Sequence, residues 1–288
     1  MRHATQTVST RDSVPHRRST GEKALTTISM SLVQGSAEHK AAIRAKVWAT
    51  LRAVARPDSR FHYDFSRFIA DFAGADVACD RLLALDCFQH SRTVFIAPDN
   101  CLGHLRERAL QAGLCVLVTT YGICRGFWLL DPATIAPALF RYAATLDGME
   151  HVGRPVSLQD LVDLQPAIGP IGLMVTGTGA INTRGVRFGK GHGFFDLEWA
   201  MLFARGLVRP HTVVAAVVHD CQLLDDDLRP EPFDTVCDLV ITPTRVLHVG
   251  PVQKPTCGIL WDRLQPNMLA DIPPLQELQA LEAQVVSA

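Results

Sequence analysis

The chain carries almost no net charge: 28 Lys and Arg stand against 29 Asp and Glu, leaving −1 at neutral pH. Bulk electrostatics therefore give no support to binding of nucleic acid or a membrane surface, both of which draw on a basic excess. Long hydrophobic runs are also missing, and no stretch approaches the roughly 18–20 apolar residues that a membrane-spanning helix requires. Cysteine pairing motifs are absent too. Cys79, Cys87, Cys101, Cys115, Cys124, Cys221, Cys237 and Cys257 are scattered, with no C-x-x-C pair. That distribution argues against a zinc site or a disulfide framework and for free thiols in a reducing compartment. Cys115 in LCVLV and Cys237 in TVCDLVIT lie inside apolar stretches, as buried thiols do. Without an internal repeat or a long linker, one compact domain is expected.

What remains is an ordinary globular composition. With 288 residues, 48% hydrophobic and 20% charged, the chain can bury a substantial core. Residues 1–29, rich in Ser, Thr and Arg and poor in carboxylates, stand apart. They read as a disordered tail or a targeting segment, or as residues upstream of a true start at Met30. The fold is sought in residues 30–288, and a cytoplasmic location is expected, with organellar targeting by the first 29 residues as the alternative.

From His39 the pattern turns helical. HKAAIRAKVWATLRAVA sets Ile43, Val47, Leu51 and Val54 along one face, with Lys40 and Arg44 four apart on another, and Pro57 is expected to end the helix. A helix is expected in GADVACDRLLAL (74–85). TVFIAP (93–98), CLGHLRERALQAG (101–113) and LCVLVTT (114–120) then read as strand, helix and strand, a parallel crossover unit. SLQDLVDL predicts a short helix and IGLMVTG (171–177) a buried strand. FFDLEWAMLFARGL (194–207) predicts a helix with Leu197, Met201, Phe203 and Ala204 inward. TVVAAVVH (212–219) and LVITPTRVLHV (239–249) read as further strands. Continuous Val/Ile runs alternating with helices define an α/β fold, a three-layer αβα arrangement around a mostly parallel sheet.

Between the strand ending at Gly177 and the helix starting near Phe194 lies GVRFGKGHGFFDLEW (185–199), with Gly189, Gly191 and Gly193 at alternate positions. A Gly-rich turn is one reading. An anion cradle, in which bare backbone closes its N–H groups on phosphate oxygens at a helix N-terminus, is the other. In open α/β sheets ligands bind beyond the carboxyl ends of the strands, and this placement favours the cradle.

G-x-R-x-G-x-G-x-G-[YF]-[YF]-D after a strand resembles the signature of the 5-formyltetrahydrofolate cyclo-ligase family. Gly185, Arg187, Gly189, Gly191, Gly193, Phe194, Phe195 and Asp196 occupy its positions. Lys40 and Arg44 match the family's N-terminal K-x-x-x-R pair, and Gln222, Asp234, Asp238 and Thr242 match a later block, so the resemblance runs from about 39 to 245. FAGADVACDRLLAL, IAPD, GKGHGFFDLEWAM, VHDCQ, ITPTRV and KPTCGILWDRL are more similar to the divergent branch of methenyltetrahydrofolate synthetase domain-containing proteins. The RNA-recognition module of some animal relatives has no counterpart here.

The resemblance implies a cyclo-ligase-like fold and an ATP- and Mg²⁺-dependent ring closure of 5-formyltetrahydrofolate, a reduced-folate substrate, with no nucleic acid and no membrane partner. It implies nucleotide contacts from Lys40, Arg44, Arg187, Phe188, Gly189, Lys190, Gly191, His192, Gly193, Phe194 and Phe195, with Lys190 and Arg187 assisting the chemistry. Asp196 and Asp238 match its Mg²⁺ carboxylates. Each has a plainer reading: Lys40 and Arg44 as a solvated helix face, Phe194 and Phe195 as core packing, Asp196 as a helix N-terminal charge, and Asp238 as a strand-end turn residue. Departures from the main enzymes are Leu197 in place of Arg, Asn182 in place of a carboxylate, phenylalanines where tyrosines are common, and no folate-pocket glutamate in residues 60–100. A catalytically divergent nucleotide- or folate-binding protein, acting on another substrate or through a partner, is therefore the alternative.

Overall fold

The computed structural model describes residues 39–226 and 228–287, with side chains to residue 284. Two compact units divide the chain, Met1–Ala42 and Ile43–Ala288. Of the first, only the opening residues of helix α1 (39–51) are described, so the expected tail and its boundary near residue 29 lie outside the described residues.

The second unit is built on an eight-stranded sheet. Its strands in chain order are β1 (Thr93–Ile96), β2 (Cys115–Thr119), β3 (Phe127–Leu130), β4 (Arg154–Val156), β5 (Ile171–Thr176), β8 (Val213–Val217), β10 (Leu239–Ile241) and β11 (Val246–His248). A smaller sheet holds β6 (Ala180–Asn182), β7 (Arg187–Phe188) and β9 (Leu223–Leu224). The large sheet runs β11-β10-β8-β5-β1-β2-β3-β4. Its five central strands pair in parallel, while β3, β4 and β11 are antiparallel additions at the two edges. β1, with Val94, Phe95 and Ile96 fully buried, shows why these runs became central strands. Apolar side chains on both faces need a layer of helices on each side.

The helices are α2 (Ala75–Leu83), α3 (Asp86–Gln89), α4 (Gly103–Gln111), α5 (Phe140–Ala143), α6 (Leu146–Val152), α7 (Leu158–Ile168), α8 (Phe194–Ala204), α9 (Met268–Asp271) and α10 (Pro273–Ser287). α2 packs on α4 and over β8 and β10, and α10 packs on α7 and α8. The direction of travel explains this division. β1 leads through α4 to β2 on one side, and β5 leads through α8 to β8 on the other. Right-handed crossovers in opposite directions place α4 and α8 on opposite faces. The sheet therefore has a switch point between β1 and β5, and in doubly wound folds the ligand crevice lies beyond the carboxyl ends at that point.

Several expectations need correction. α1 ends at residue 51, before Pro57, because residues 52–54 form a turn and Ala55 bridges to Phe72. LVITPTRVLHV is a hairpin, not one strand: Thr242–Arg245 reverse the chain, with Thr242 Oγ1 accepting from the amides of Thr244 and Arg245. On α8 Ala204 is exposed and Glu198, not counted as inward, is buried. All eight cysteines are free, but Cys124 and Cys257 are exposed. No helix among the described residues is long and apolar enough to cross a membrane.

Candidate functional site

The glycine loop lies at the switch point. β5 ends at Thr176, and the amide of Gly177 donates to Asp99 Oδ2 at 2.8 Å, tying the ends of β5 and β1 together. The chain then makes the β6–β7 hairpin and enters the loop. Asn182 shapes the hairpin turn: its Oδ1 accepts from the amides of Arg184 (3.1 Å) and Val186 (3.0 Å). Gly185, at φ 76°, is the turn residue that cannot be replaced, since a Cβ there would lie 2.1 Å from the carbonyl oxygen of Cys237. Gln222 braces the strand exit from below, donating to the carbonyl oxygens of Thr178 (2.6 Å) and Gly179 (3.3 Å).

Gly193 adopts φ 71° and caps α8 without a side-chain acceptor. Among the described residues no backbone amide from Lys190 through Asp196 donates to a protein acceptor, while the carbonyl of Gly193 already receives Leu197. A run of unsatisfied N–H groups at the start of an eleven-residue helix is the positive end of its dipole.

Cations gather around this end. Lys190 Nζ lies 4.9 Å from the Tyr121 ring centroid and 5.7 Å from that of Phe194, and donates to the carbonyl of Arg67 at 3.2 Å. Burial pushes its pKa down, partly offset by the charges of Asp99 and Glu198. Arg44 stands over Phe188 at 5.5 Å, and its guanidinium would be 3.9 Å from a Cβ on Gly191. Arg67 lies over Phe61 at 4.8 Å. His192 stacks on Phe194 at 5.3 Å, and burial together with Lys190, Arg44 and Arg67 lowers its pKa, which leaves it neutral at pH 7. Lys190, Arg44 and Arg67 have no carboxylate partner within ion-pair distance among the described residues.

Arg187 differs from the other cations. It is buried, its Nη2 donates to Asp196 Oδ1 at 2.6 Å, and its guanidinium caps the Phe195 ring at 4.4 Å. Desolvation works against its charge, and Asp196 overrides it and holds the pKa up. The same Oδ1 accepts from the amide of Thr235 at 2.8 Å. Asp196 Oδ2 would be 4.0 Å from a Cβ on Gly193, which sets this oxygen on the loop side of the carboxylate. Asp238 is committed elsewhere. Its Oδ1 receives Lys254 Nζ at 2.8 Å and its Oδ2 receives the amide of Val214 at 2.7 Å. It anchors the start of β8 and the C-terminal segment, with its side chain still 28% exposed. Asp220 is likewise structural, accepting from Thr242 and Thr244.

Phe195 is core, packed on Phe95 at 6.1 Å, while Phe194 stays half-buried against Tyr121–Gly122. Lys40 belongs to the Met1–Ala42 unit, and the crevice is described from Ile43 onward.

Several residues at the site escaped the sequence reading. Arg60, Phe61 and Arg67 occupy a loop organised by Asp58, whose Oδ1 accepts from the amides of Arg60 (2.7 Å) and Phe61 (3.1 Å) and whose Oδ2 accepts from Asn100 Nδ2 (2.7 Å). Tyr121 joins from the end of β2, its hydroxyl on the carbonyl of Arg67. Asp99, half-buried, and Glu198, buried, lie beneath. Burial raises both pKa values, that of Glu198 to about 8, against a hydrogen bond from Thr119. Glu198 alone carried a signal: it is a charge inside an otherwise apolar helix.

Together these features define a doubly wound α/β protein with a cationic, glycine-lined crevice at its switch point. The chain belongs to the 5-formyltetrahydrofolate cyclo-ligase family, whose sequence model matches residues 36–243. It is similar to the methenyltetrahydrofolate synthase domain-containing protein of Homo sapiens, with 32% identity over 84% of this chain and 62% of the human protein. Its likeness to the Danio rerio protein of that name is 33% over 85% of this chain and 63% of the relative. The chain thus spans about three fifths of the length of these relatives. Among solved structures, the 5,10-methenyltetrahydrofolate synthetases of Aquifex aeolicus (16% identity, TM-score 0.43, 75% of this chain and 95% of that one) and Mycoplasma pneumoniae (12%, 0.41, 70% and 97%) are similar to it.

Proposed function

We propose that the chain is an ATP-dependent enzyme that closes 5-formyltetrahydrofolate to 5,10-methenyltetrahydrofolate. The observation that carries this reading is the convergence of Lys190, Arg44 and Arg67, none of them paired with a carboxylate among the described residues, on a helix N-terminus whose amides are unused. Like charges held together without counterions destabilise the free protein and are relieved by a polyanion. Triphosphate fits that requirement.

In this reading the γ-phosphoryl group passes to the formyl oxygen, releasing ADP. N10 of the folate then attacks the activated carbon and gives up its proton, and phosphate leaves with that oxygen and takes the proton. The protein supplies position and charge more than covalent chemistry. Lys190 reaches the transferring phosphoryl group, the amides from Gly191 to Phe195 cradle the phosphates, and Arg44 flanks them. Arg187 acts one layer below, fixing Asp196 and the Phe195 ring so that α8 keeps its aim. Magnesium typically takes one or two protein carboxylates together with substrate phosphates and water. Of the expected pair, Asp196 stands at the start of α8 beside the loop, while Asp238 is tied to Lys254 and Val214, so magnesium would be held chiefly by Asp196 and the nucleotide.

The test is direct. Purified protein with Mg·ATP and 5-formyltetrahydrofolate should yield stoichiometric ADP and a product with the absorption of the methenyl form. Tight Mg·ATP binding without that product would remove the folate reaction and favour a nucleotide-binding protein acting on another substrate.

A further inference from the structure

Past residue 243, where the family's sequence model ends, the stretch GPVQKPTCGILWDRLQPN (250–267) holds little regular structure beyond the short turn Trp261–Arg263. Pro251, Pro255 and Pro266 withhold backbone donors there, so side chains and carbonyls fix its course. Lys254 is buried on Asp238, the carbonyl of Pro255 accepts from Trp199 Nε1 of α8 at 2.9 Å, and Ile259 and Met268 are buried. Between the last two, Leu264 packs against the core and the carbonyl of Gln265 accepts from the amide of Met268 at 3.2 Å. The Gln265 backbone is thereby held. Its side chain reaches back across 74 residues of sequence, and Nε2 donates to the carbonyl of Gly191 at 3.0 Å.

That carbonyl belongs to the glycine loop. Gly191 sits at φ 107° in a run where alternate residues lack a Cβ, so nothing local fixes the orientation of its peptide planes. Among the described residues, the backbone of Lys190, Gly191 and His192 takes part in one hydrogen bond, the one from Gln265. In a planar trans peptide the N–H points opposite to the C=O. By drawing the Gly191 carbonyl toward the C-terminal segment, Gln265 turns the amide of His192 away from that segment. Gln265 and Gly191 are both exposed, so water competes for this bond and it adds little to overall stability. Its effect is local: it selects one orientation of a peptide that would otherwise take several.

We propose that Gln265 is a positioning residue for the nucleotide: by holding the Gly191 carbonyl it presets the loop so that the amide of His192 meets a phosphate. This rests on the reading that the loop takes ATP, and it extends that site to a segment outside residues 36–243, which the family model matches. A loop that must order itself on binding holds its ligand more weakly, by the fraction of time it spends misaligned.

The test uses two variants. Gln265→Leu keeps the bulk of the side chain and removes the donor, whereas Gln265→Lys keeps a donor of similar reach. In calorimetry, Gln265→Leu should bind Mg·ATP and magnesium tripolyphosphate about two- to tenfold more weakly than wild type, the range of one exposed hydrogen bond. Gln265→Lys should bind both at least as tightly as wild type, compared at high salt so that its added charge is screened. Melting temperatures of the three free proteins should agree. In turnover, the KM for ATP should rise in Gln265→Leu at unchanged kcat, as for a contact made equally in ground and transition states. Without ligand, the amides of residues 189–193 should exchange hydrogen faster in Gln265→Leu. Unchanged Mg·ATP affinity or unchanged loop exchange in Gln265→Leu, a loss that Gln265→Lys does not recover, or a loss matched by a lower melting temperature would overturn the proposal. Absence of Mg·ATP binding by the wild type would remove this role and the nucleotide reading together. Otherwise the two ideas fail separately. Weakened Mg·ATP binding in Gln265→Leu without turnover of 5-formyltetrahydrofolate removes the cyclo-ligase reaction and keeps the role of Gln265. Turnover with the KM for ATP unaltered in Gln265→Leu keeps the reaction and removes that role.

Discussion

Lys190→Met separates a ligand-binding cation from a structural one. Lys190 is largely desolvated, and among the described residues its hydrogen bond is to the carbonyl of Arg67 at 3.2 Å. A charge-assisted hydrogen bond to phosphate contributes about 1.5–3 kcal/mol, which corresponds to roughly 12- to 160-fold in affinity. Methionine preserves the aliphatic stem between Tyr121 and Phe194 and removes a cation from a site where Arg60 and Arg67 repel it. Mg·ATP affinity measured by calorimetry should therefore fall by that factor, while the melting temperature stays level or rises. The pH dependence has a definite sign. A lysine whose folded pKa is lowered binds fewer protons in the native than in the unfolded state, so stability increases as pH rises through the folded value toward the usual 10.5. That increase should be absent in Lys190→Met, and wild-type ATP affinity should decline over the same alkaline window. Unchanged ATP affinity combined with a lower melting temperature would refute the argument, since it would make Lys190 a packing residue.

Three further outcomes follow from local geometry. Gly185→Ala, which forces a Cβ to 2.1 Å from the Cys237 carbonyl at φ 76°, should lower stability by several kcal/mol, whereas Gly206→Ala, at φ 69° with nothing within 4 Å, should cost only about 1 kcal/mol in denaturant titration. Arg187→Met leaves Asp196 buried without its cation and should cost about 3–5 kcal/mol; Arg187→Met combined with Asp196→Leu should recover part of that in the same titration. Asp58, held at about 2 by hydrogen bonds from Arg60 and Asn100 against the opposing effect of burial, contributes stability present above its unfolded value near 3.8 and lost as pH falls through about 2. Asp58→Asn should therefore lose about 1–2 kcal/mol at pH 7, and the difference from wild type should close in acid melts.

The central strands and their crossover helices were legible because both faces of β1, β2, β5 and β8 are buried, which writes them as continuous apolar runs. The edges were not. β3 is only four residues, FWLL, with Trp128 half-buried, and β4 is RPV with Arg154 and Pro155 exposed, so β3 offers a run too short to separate from a loop and β4 offers none. The β10–β11 hairpin was read as one strand because the proline of ITPTRV sits in a turn whose reversal depends on Thr242 bonding across it. At the site, the glycine loop announced itself through spacing, whereas Arg67 and Tyr121 did not. Their place beside Lys190 depends on a loop fixed by Asp58 and Asn100, which are 42 residues apart. The tie between Asp238 and Lys254 was hidden for a related reason: Lys254 arrives from a later segment that no local pattern connects to it.

The two layers of the site carry opposite electrostatic demands, and this bears on how it would work. The upper layer, Lys190, Arg44 and Arg67, holds charge without partners; the lower layer, Asp99 and Glu198, holds carboxyls that burial drives toward the neutral form. Lys190 is the residue that couples them, since Asp99 and Glu198 sustain its charge while Arg60 and Arg67 oppose it. A polyanion entering above would raise the proton affinity of Lys190, which burial lowers, and so fix the charge that the carboxyls below only partly secure. Nucleotide binding should accordingly strengthen binding of the reduced-folate ring beside Lys190. Pterin titrated into protein saturated with Mg·ATP should bind more tightly than into the free protein, and by linkage Mg·ATP should gain the same factor from pterin. Equal affinities in the two titrations would show that the layers are electrostatically independent and that Lys190 does not join them.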